Sequence, residues 1–474
     1  MKTLHLTCAW HETSGGIATF YRQLIAAANA KRHAIRLVVP AEKDSVEEAG
    51  PYGRIYHLAS PKAPLNSAYR IIYPTQFIFA GSKIQQILDH ERPDLVEICD
   101  KYNLNYLGGL LRERLLELTG FRPIVVGLSC ERMDDNLSAY LGGGFLAKHF
   151  SRIYMRWLYF PMFDHHITVS DHTAAELAPA SKGHPVHRGV WVRHMGVDTA
   201  RFSADRRSPE AHNKLTALAS PASQDPDQLR LLLYAGRLVP EKNLNLLIEM
   251  MECLPPECHL LIAGQGMEEP RLRELADSRV PGRVHFLGFV GSKEELASLY
   301  ANCDAFIHPN PREPFGIAPL EAMASGLPLV APNSGGVVSY ANPENAWVVE
   351  PTASAFAGAV KELLGDAALR ALKTNRALET VAQYSWPSMA ARFLELYGEM
   401  LRLKHEDPNG AAIAPAFVSV PPPGGTNKTA RQAARTAASI LAVYKRWKEP
   451  RITSAAVARF QSHTTGDEGW EKHI

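Results

Sequence analysis

The chain has 474 residues, 46% of them hydrophobic and 21% charged, with a formal net charge of +2. That length exceeds one ordinary core, so two domains are expected, and so small a net charge gives nucleic acid no electrostatic footprint. Cys8, Cys99, Cys130, Cys253, Cys258 and Cys303 lack metal-ligand spacing, which excludes a cysteine metal site and fits a reduced, cytoplasmic setting.

Residues 1–8 read as a first strand, not a signal peptide, and no apolar run reaches the length of a membrane span. Strands are predicted over residues 4–9 and 35–39, with a helix over 17–30 between them. Residues 95–99, 124–128 and 166–169 are short and apolar, as buried parallel strands are. From 198 to 228 Ser, Pro, Ala, Asp and Gln dominate, the periodicity fades, and the stretch reads as a linker. A second strand series follows at 231–235, 259–263, 284–286, 305–308 and 329–331. Alternating strands and helices argue for an open parallel sheet with helices on both faces, here twice. Two such Rossmann-like domains place a cleft between the carboxyl ends of their sheets, where ligands settle. Beyond residue 407 the chain turns Ala- and Pro-rich, and 429–448 reads as a basic helix.

Two segments carry chemistry. Residues 234–243 end a strand, turn at Gly236 and supply Arg237 and Lys242. Fixed cations there can stabilise the charge of a departing diphosphate in place of a metal; alone, they also read as ordinary surface cations. Residues 311–321 place Glu313 and Glu321 around Gly316 and a helix start with Pro319 at its first position. Carboxylates accept hydrogen bonds from hydroxyls, and the amides of Gly316, Ile317 and Ala318 can hold an anion. A sugar nucleotide offers both. Taken singly, Glu321 reads equally as a first-turn acid and Glu313 as a solvated loop acid.

These parts occur in order with Ala263-Gly264-Gln265-Gly266, Phe286-Leu287-Gly288-Phe289-Val290, Ser14-Gly15-Gly16, Thr168-Val169-Ser170 and Gly196-Val197-Asp198. Across residues 1–403 the chain resembles the GT-B retaining glycosyltransferases of family 4. The resemblance implies an α/β GT-B fold of two Rossmann-like domains facing a deep cleft. Its divisions are an acceptor-binding domain over 1–198, a linker over 199–228, a nucleotide-sugar-binding domain over 229–384, a helix over 385–403 that crosses back, and a flexible Pro/Ala-rich, basic tail over 404–474. It implies diphosphate binding by Arg237 and Lys242, sugar contacts by Glu313, and ribose binding by Glu321. Gly15, Gly16, Gly236, Gly316, Ile317 and Ala318 would bring backbone close to the donor. No cofactor or metal is implied: a nucleotide sugar, GDP-mannose or a UDP-hexose, is co-substrate, and a saccharide or lipid-linked molecule is acceptor. Two other readings stay open, a catalytically weak scaffold that binds nucleotide sugar and a sugar-nucleotide epimerase.

The chain departs from that pattern at Cys130, where relatives carry a histidine; a thiol cannot match an imidazole's donor geometry. Glu131, Arg132 and Asp134 form either a compensating polar cluster or a plain surface loop. After Ser334-Gly335-Gly336 the usual acid is missing, which leaves that loop to hold the donor by its backbone. Asp100 is either an acceptor ligand or the cap of the next helix. Over 145–160, Lys148, Arg152 and Arg156 recur every four residues among aromatic and apolar ones. That pattern suits an anionic membrane surface, on the inner face of the plasma membrane; the favoured reading is a core-packed helix with one solvated cationic stripe.

Overall fold

The computed structural model describes residues 1–10, 16–63, 69–116, 120–141, 144–181, 189–219, 228–406 and 418–419. Gly15, the predicted helix over 429–448 and nearly all of the tail lie outside these residues.

Two parallel sheets form. The first holds β1 (Lys2–Thr7), β2 (Ala34–Ala41), β3 (Ser45–Glu48), β4 (Gly53–Ala59), β5 (Leu95–Cys99), β6 (Ile124–Ser129), β7 (His165–Thr168) and β8 (Val190–Val192). The second holds β9 (Arg230–Ala235), β10 (Cys258–Ala263), β11 (Val284–Gly288), β12 (Ala305–Ile307), β13 (Leu329–Pro332) and β14 (Trp347–Val349). A two-residue strand, β15 (Val418–Ser419), adds to the first sheet beside β8. The order is β15-β8-β7-β6-β5-β1-β2-β4-β3 in one sheet and β11-β10-β9-β12-β13-β14 in the other. Only β3 runs antiparallel, at the edge. The central strands are buried on both faces and mostly apolar: every residue of β6 and β10 is buried.

The described part of the stretch read as linker contains a helix, Pro209–Ala219. It docks through Asn302, whose carbonyl meets His212 Nδ1 at 2.8 Å and whose side chain accepts from Ser208 N at 2.8 Å. Its Ala, Leu and Lys residues are good helix formers, so propensity and this local docking suffice without a strong apolar stripe.

The helix Trp386–Glu406 returns to the first sheet. Met389, Phe393, Tyr397 and Met400 recur at helical spacing and are buried. They pack on the helix Gly16–Lys31, with Phe393 and Phe20 rings 4.8 Å apart. Beneath them lies the fully buried Glu97 of β5. Its Oε1 meets His5 Nδ1 at 2.9 Å and accepts from Tyr21 OH at 3.1 Å, while Oε2 accepts from Tyr397 OH at 2.5 Å. One carboxylate thus ties β1, the first helix and the last helix together, and its partners answer the cost of burial.

The stretch 145–160 departs from the expectation of a core-packed helix. The helix Gly144–Tyr154 continues into a wider π turn, Met155–Tyr159. Leu146, Phe150, Ile153 and Trp157 are 76%, 57%, 47% and 63% exposed. Their spacing of four, three and four puts them in one row. Lys148 and Arg152 are exposed beside that row, and Arg156 is half-buried with its guanidinium over the Trp157 ring. The buried side is carried instead by Tyr154, Met155 and Tyr159.

Tyr397→Phe leaves Glu97 Oε2 without its tyrosine donor. A hydrogen bond to a charged group contributes about 1.5–3 kcal/mol, so the variant should unfold at lower temperature with an unchanged far-UV spectrum. An unchanged midpoint would mean that His5 and Tyr21 alone hold the carboxylate.

Candidate active site

Both sheets reverse direction at one point. In the second, the chain runs from β9 to β10 and β11 on one side, then crosses to β12 on the other. The loops leaving β9 and β12 therefore part company and leave a crevice at their carboxyl ends. Lys242 stands on the first loop and Glu313 on the second. They meet there, Lys242 Nζ donating to Glu313 Oε2 at 2.7 Å. Asn310 Nδ2 donates to the same oxygen at 2.9 Å, and His308 Nε2 lies 3.8 Å away. Glu313 is only 13% exposed. Burial alone would push its carboxyl up; the Lys242 ammonium, His308 and the two hydrogen bonds outweigh burial and hold it down at about 2. Arg237 does not join the pair: its guanidinium turns to Glu241 Oε1 at 3.3 Å.

The loop carrying Glu313 is braced from behind. Gly336 N donates to Glu313 O at 2.5 Å, and Ser334 Oγ donates to Pro311 O at 3.2 Å. A side chain at position 336 would put its Cβ 2.0 Å from the Pro314 carbonyl, so glycine is required. The Ser-Gly-Gly loop, which carries no acid after it, therefore buttresses the Glu313 segment through its backbone and Ser334. Gly316 has φ 90° and caps the helix Ile317–Ala324, with its carbonyl taken by Tyr340 OH. The helix starts two residues earlier than the sequence suggests. Pro319 is its third residue and Glu321 its fifth, so the first-turn amides are those of Ile317 and Ala318. Glu321 Oε2 accepts from Tyr300 OH at 3.2 Å. Burial pushes its carboxyl up to about 7, against the smaller opposing pull of Lys293 and Tyr300.

The first sheet supplies the facing wall. Gly16 opens the helix Gly16–Lys31, and a Cβ there would lie 3.5 Å from Ile317. The amino ends of two helices thus face each other, each favouring an anion. Ser170 Oγ, just past β7, donates to the Pro314 carbonyl. His194 stacks on Phe315 at 5.7 Å. The helix Met133–Leu141 lies against the turn Pro240–Lys242.

At that wall the acceptor-side candidates divide. Asp100 does not cap the next helix, Asn105–Arg112, but pins the loop before it: Oδ1 accepts from the amides of Tyr102, Asn103 and Leu104 at 2.9, 2.7 and 3.0 Å. Arg132 grips Asp134 with two bonds, 2.9 and 2.6 Å, so a polar cluster does form. It extends to Asp135, which lies 3.2 Å from Arg132 and 3.1 Å from His172. Glu131 stays outside it and accepts from Asn136 at 2.9 Å. Burial pushes Glu131 up. Cys130 lies with its sulfur 3.8 Å from that of Cys99.

A buried pair that the sequence did not single out anchors this wall. Lys101 Nζ donates to Glu176 Oε2 at 2.6 Å and to the Glu131 carbonyl. Glu176 Oε1 accepts from the amides of Met133 and Asp134 at 2.7 and 3.1 Å, capping the helix Met133–Leu141 from another element. Lys101 and Glu176 lie 75 positions apart and no local motif joins them. Tyr340, Tyr300 and Asn310 were missed for a similar reason: each acts through contacts that only the fold creates.

Residues 14–201 match the family model described as Glycosyltransferase Family 4, and residues 218–379 that of Glycosyl transferases group 1. An uncharacterized glycosyltransferase of Methanocaldococcus jannaschii is 33% identical over 44% of this chain and 53% of its own, so the chain spans about half of that relative's length. A GDP-mannose-dependent α-(1-6)-phosphatidylinositol dimannoside mannosyltransferase of Mycobacterium tuberculosis is 23% identical over 84% of this chain and 97% of its own. Among solved structures, the sucrose-phosphate synthase of Thermosynechococcus elongatus superposes with a TM-score of 0.66 at 21% identity, covering 85% of this chain and all of the other.

Glu321 makes the ligand-free protein sensitive to pH. Its folded value of about 7 lies above the ordinary 4.5, so the folded state holds the extra proton between them. Stability should then fall as pH rises from about 4.5 to about 7. Glu321→Gln should flatten that slope in denaturant titrations at several pH values; an unchanged slope would assign the effect to other groups.

Proposed function

Because the chain belongs to the group 1, family 4 glycosyltransferases of GT-B fold, we propose that it moves a mannosyl group from GDP-mannose to a saccharide or lipid-linked acceptor, with retention and without a metal. The Lys242–Glu313 pair at the start of the helix Ile317–Ala324, opposite the amino end of the helix Gly16–Lys31, carries the reading. The donor diphosphate lies between the two helix ends, on the amides of Ile317 and Ala318, with Gly16 on the facing side and Gly236 at the turn. Lys242, with Arg237 swung from Glu241, balances the charge that grows on it. Glu313 is ionised at neutral pH, so it accepts hydrogen bonds from sugar hydroxyls and faces the positive charge of the departing sugar. Glu321 takes the ribose hydroxyls, and the bound nucleotide favours its ionised form.

In this reading the anomeric carbon–oxygen bond to the diphosphate breaks as the acceptor oxygen bonds to the same face. The acceptor proton passes to a diphosphate oxygen. No protein base is required, which suits the absence of a histidine at Cys130. Glu131, Arg132 and Asp134 border the acceptor side. The choice of donor sugar and base is supported by the mycobacterial relative, a GDP-mannose-dependent mannosyltransferase.

The exposed row of Leu146, Phe150, Ile153 and Trp157, flanked by Lys148, Arg152 and Arg156, suits an anionic bilayer on the same wall. It would bring a lipid-linked acceptor to the cleft from the membrane. No helix among the described residues is long and apolar enough to cross a membrane.

Glu313→Ala and Arg237→Ala should each lower kcat by about 10²–10³, with product anomer read by NMR and activity unaffected by a chelator. Donor binding without transfer or donor hydrolysis in the parent protein would favour the scaffold; free sugar epimer without acceptor would favour an epimerase. In thermal-shift measurements GDP compounds should stabilise the fold and UDP compounds should not; the reverse overturns the donor assignment. Phe150→Ser with Trp157→Ser should abolish sedimentation with phosphatidylglycerol vesicles at low salt. If the parent protein ignores such vesicles, the membrane surface is refuted.

A further inference from the structure

Cys99 ends β5, and Cys130 directly follows β6, its parallel neighbour, where Ile98 pairs with Gly127. The cleft reading leaves both thiols without a task. The sulfurs already touch at 3.8 Å, and both residues are half-buried. A bond of about 2.05 Å needs an approach of just under 2 Å, which side-chain rotation and a small shift of the turn can supply. Of the other four cysteines, Cys258 and Cys303 are buried and Cys253 is exposed, all three in the second half of the chain, while Cys8, half-buried just past β1, also neighbours Cys99, so the peptide map must separate a 99–130 link from an 8–99 link.

We propose that Cys99 and Cys130 form a reversible disulfide that turns the acceptor wall off under oxidation by a peroxide. The Cys99 thiolate attacks one peroxide oxygen; the O–O bond breaks and the departing hydroxide leaves as water. Cys99 is then a sulfenic acid. The Cys130 sulfur attacks it, the S–O bond breaks, and the hydroxyl leaves as a second water with the Cys130 proton. Two thiols are oxidised, and the peroxide is reduced to two waters. The Cys99 thiol beside it and burial push the Cys130 thiol well up. A raised thiol is a poor first nucleophile, so Cys130 is assigned the resolving step through its contact with Cys99.

The consequence runs through Lys101. Cys130 opens the turn whose Glu131 carbonyl takes Lys101, and Lys101 pairs with the Glu176 that caps the helix Met133–Leu141. Drawing Cys130 toward β5 displaces Glu131, Arg132 and Asp134 together.

The test oxidises the full chain with hydrogen peroxide, alkylates free thiols and maps the peptides by mass. The expected product links 99 to 130 with loss of two hydrogens, and dithiothreitol reverses it. Transfer to acceptor should fall by about 100-fold, the usual cost of a 1 Å misplacement, and recover on reduction. Cys99→Ser, with its thermal midpoint checked against the parent and Cys99→Ala as a second variant, should resist peroxide. The loss of transfer rests on the proposed transferase reading; the mass shift does not, so the two fail separately. Both thiols remaining alkylatable after peroxide, or equal inhibition of Cys99→Ser, overturns the proposal.

Discussion

Removing a carboxylate from water costs several kcal/mol unless a cation and hydrogen bonds meet it. Glu313 meets that condition only because the second sheet reverses between β9 and β12. The reversal sets two loops side by side that are 71 positions apart in the chain. Lys242 then holds Glu313 ionised, the Ser-Gly-Gly loop fixes its backbone, and Tyr340 fixes Gly316. Charge, backbone and helix start are locked as one piece before any ligand arrives. Preorganisation of this kind leaves little to rearrange when charge develops.

The two walls differ in how they are built. The wall from the second sheet uses short-range devices, a glycine cap and a helix end close to Glu313 and Glu321. The wall from the first sheet hangs on long-range ones: Lys101 pairs with Glu176 from 75 positions away, and Glu176 caps a helix from another element. Asp135 lies 3.9 Å from Arg312 on the opposite loop, so even the polar cluster leans across the cleft.

That difference explains what could be read in advance. Strand positions were legible because buried parallel strands are continuous apolar runs, as at residues 124–128 and 259–263. Glu313, Glu321 and Lys242 were legible because their neighbours form ordered local motifs. The helix start was misplaced because Pro319 invites the first position, whereas Gly316 with φ 90° sets the start earlier. Over 145–160 the core-packed reading was favoured over a membrane-facing one because periodicity finds a stripe without saying which side it faces; Leu146, Phe150, Ile153 and Trp157 face out. Lys101 and Glu176 were invisible, since a pair joined only by folding leaves no pattern in either neighbourhood.

The Glu97 cluster bears on the order in which the protein is made. Its partners His5 and Tyr21 are synthesised early, but Tyr397 leaves the ribosome only after the entire second sheet. Until then the nascent first domain carries a carboxylate lacking that donor and a Phe20 face without the Phe393 cover. The last helix is therefore a closing fastener for the domain made first. A chain cut before residue 386 would forfeit the interior of its amino-terminal half, far from the cut.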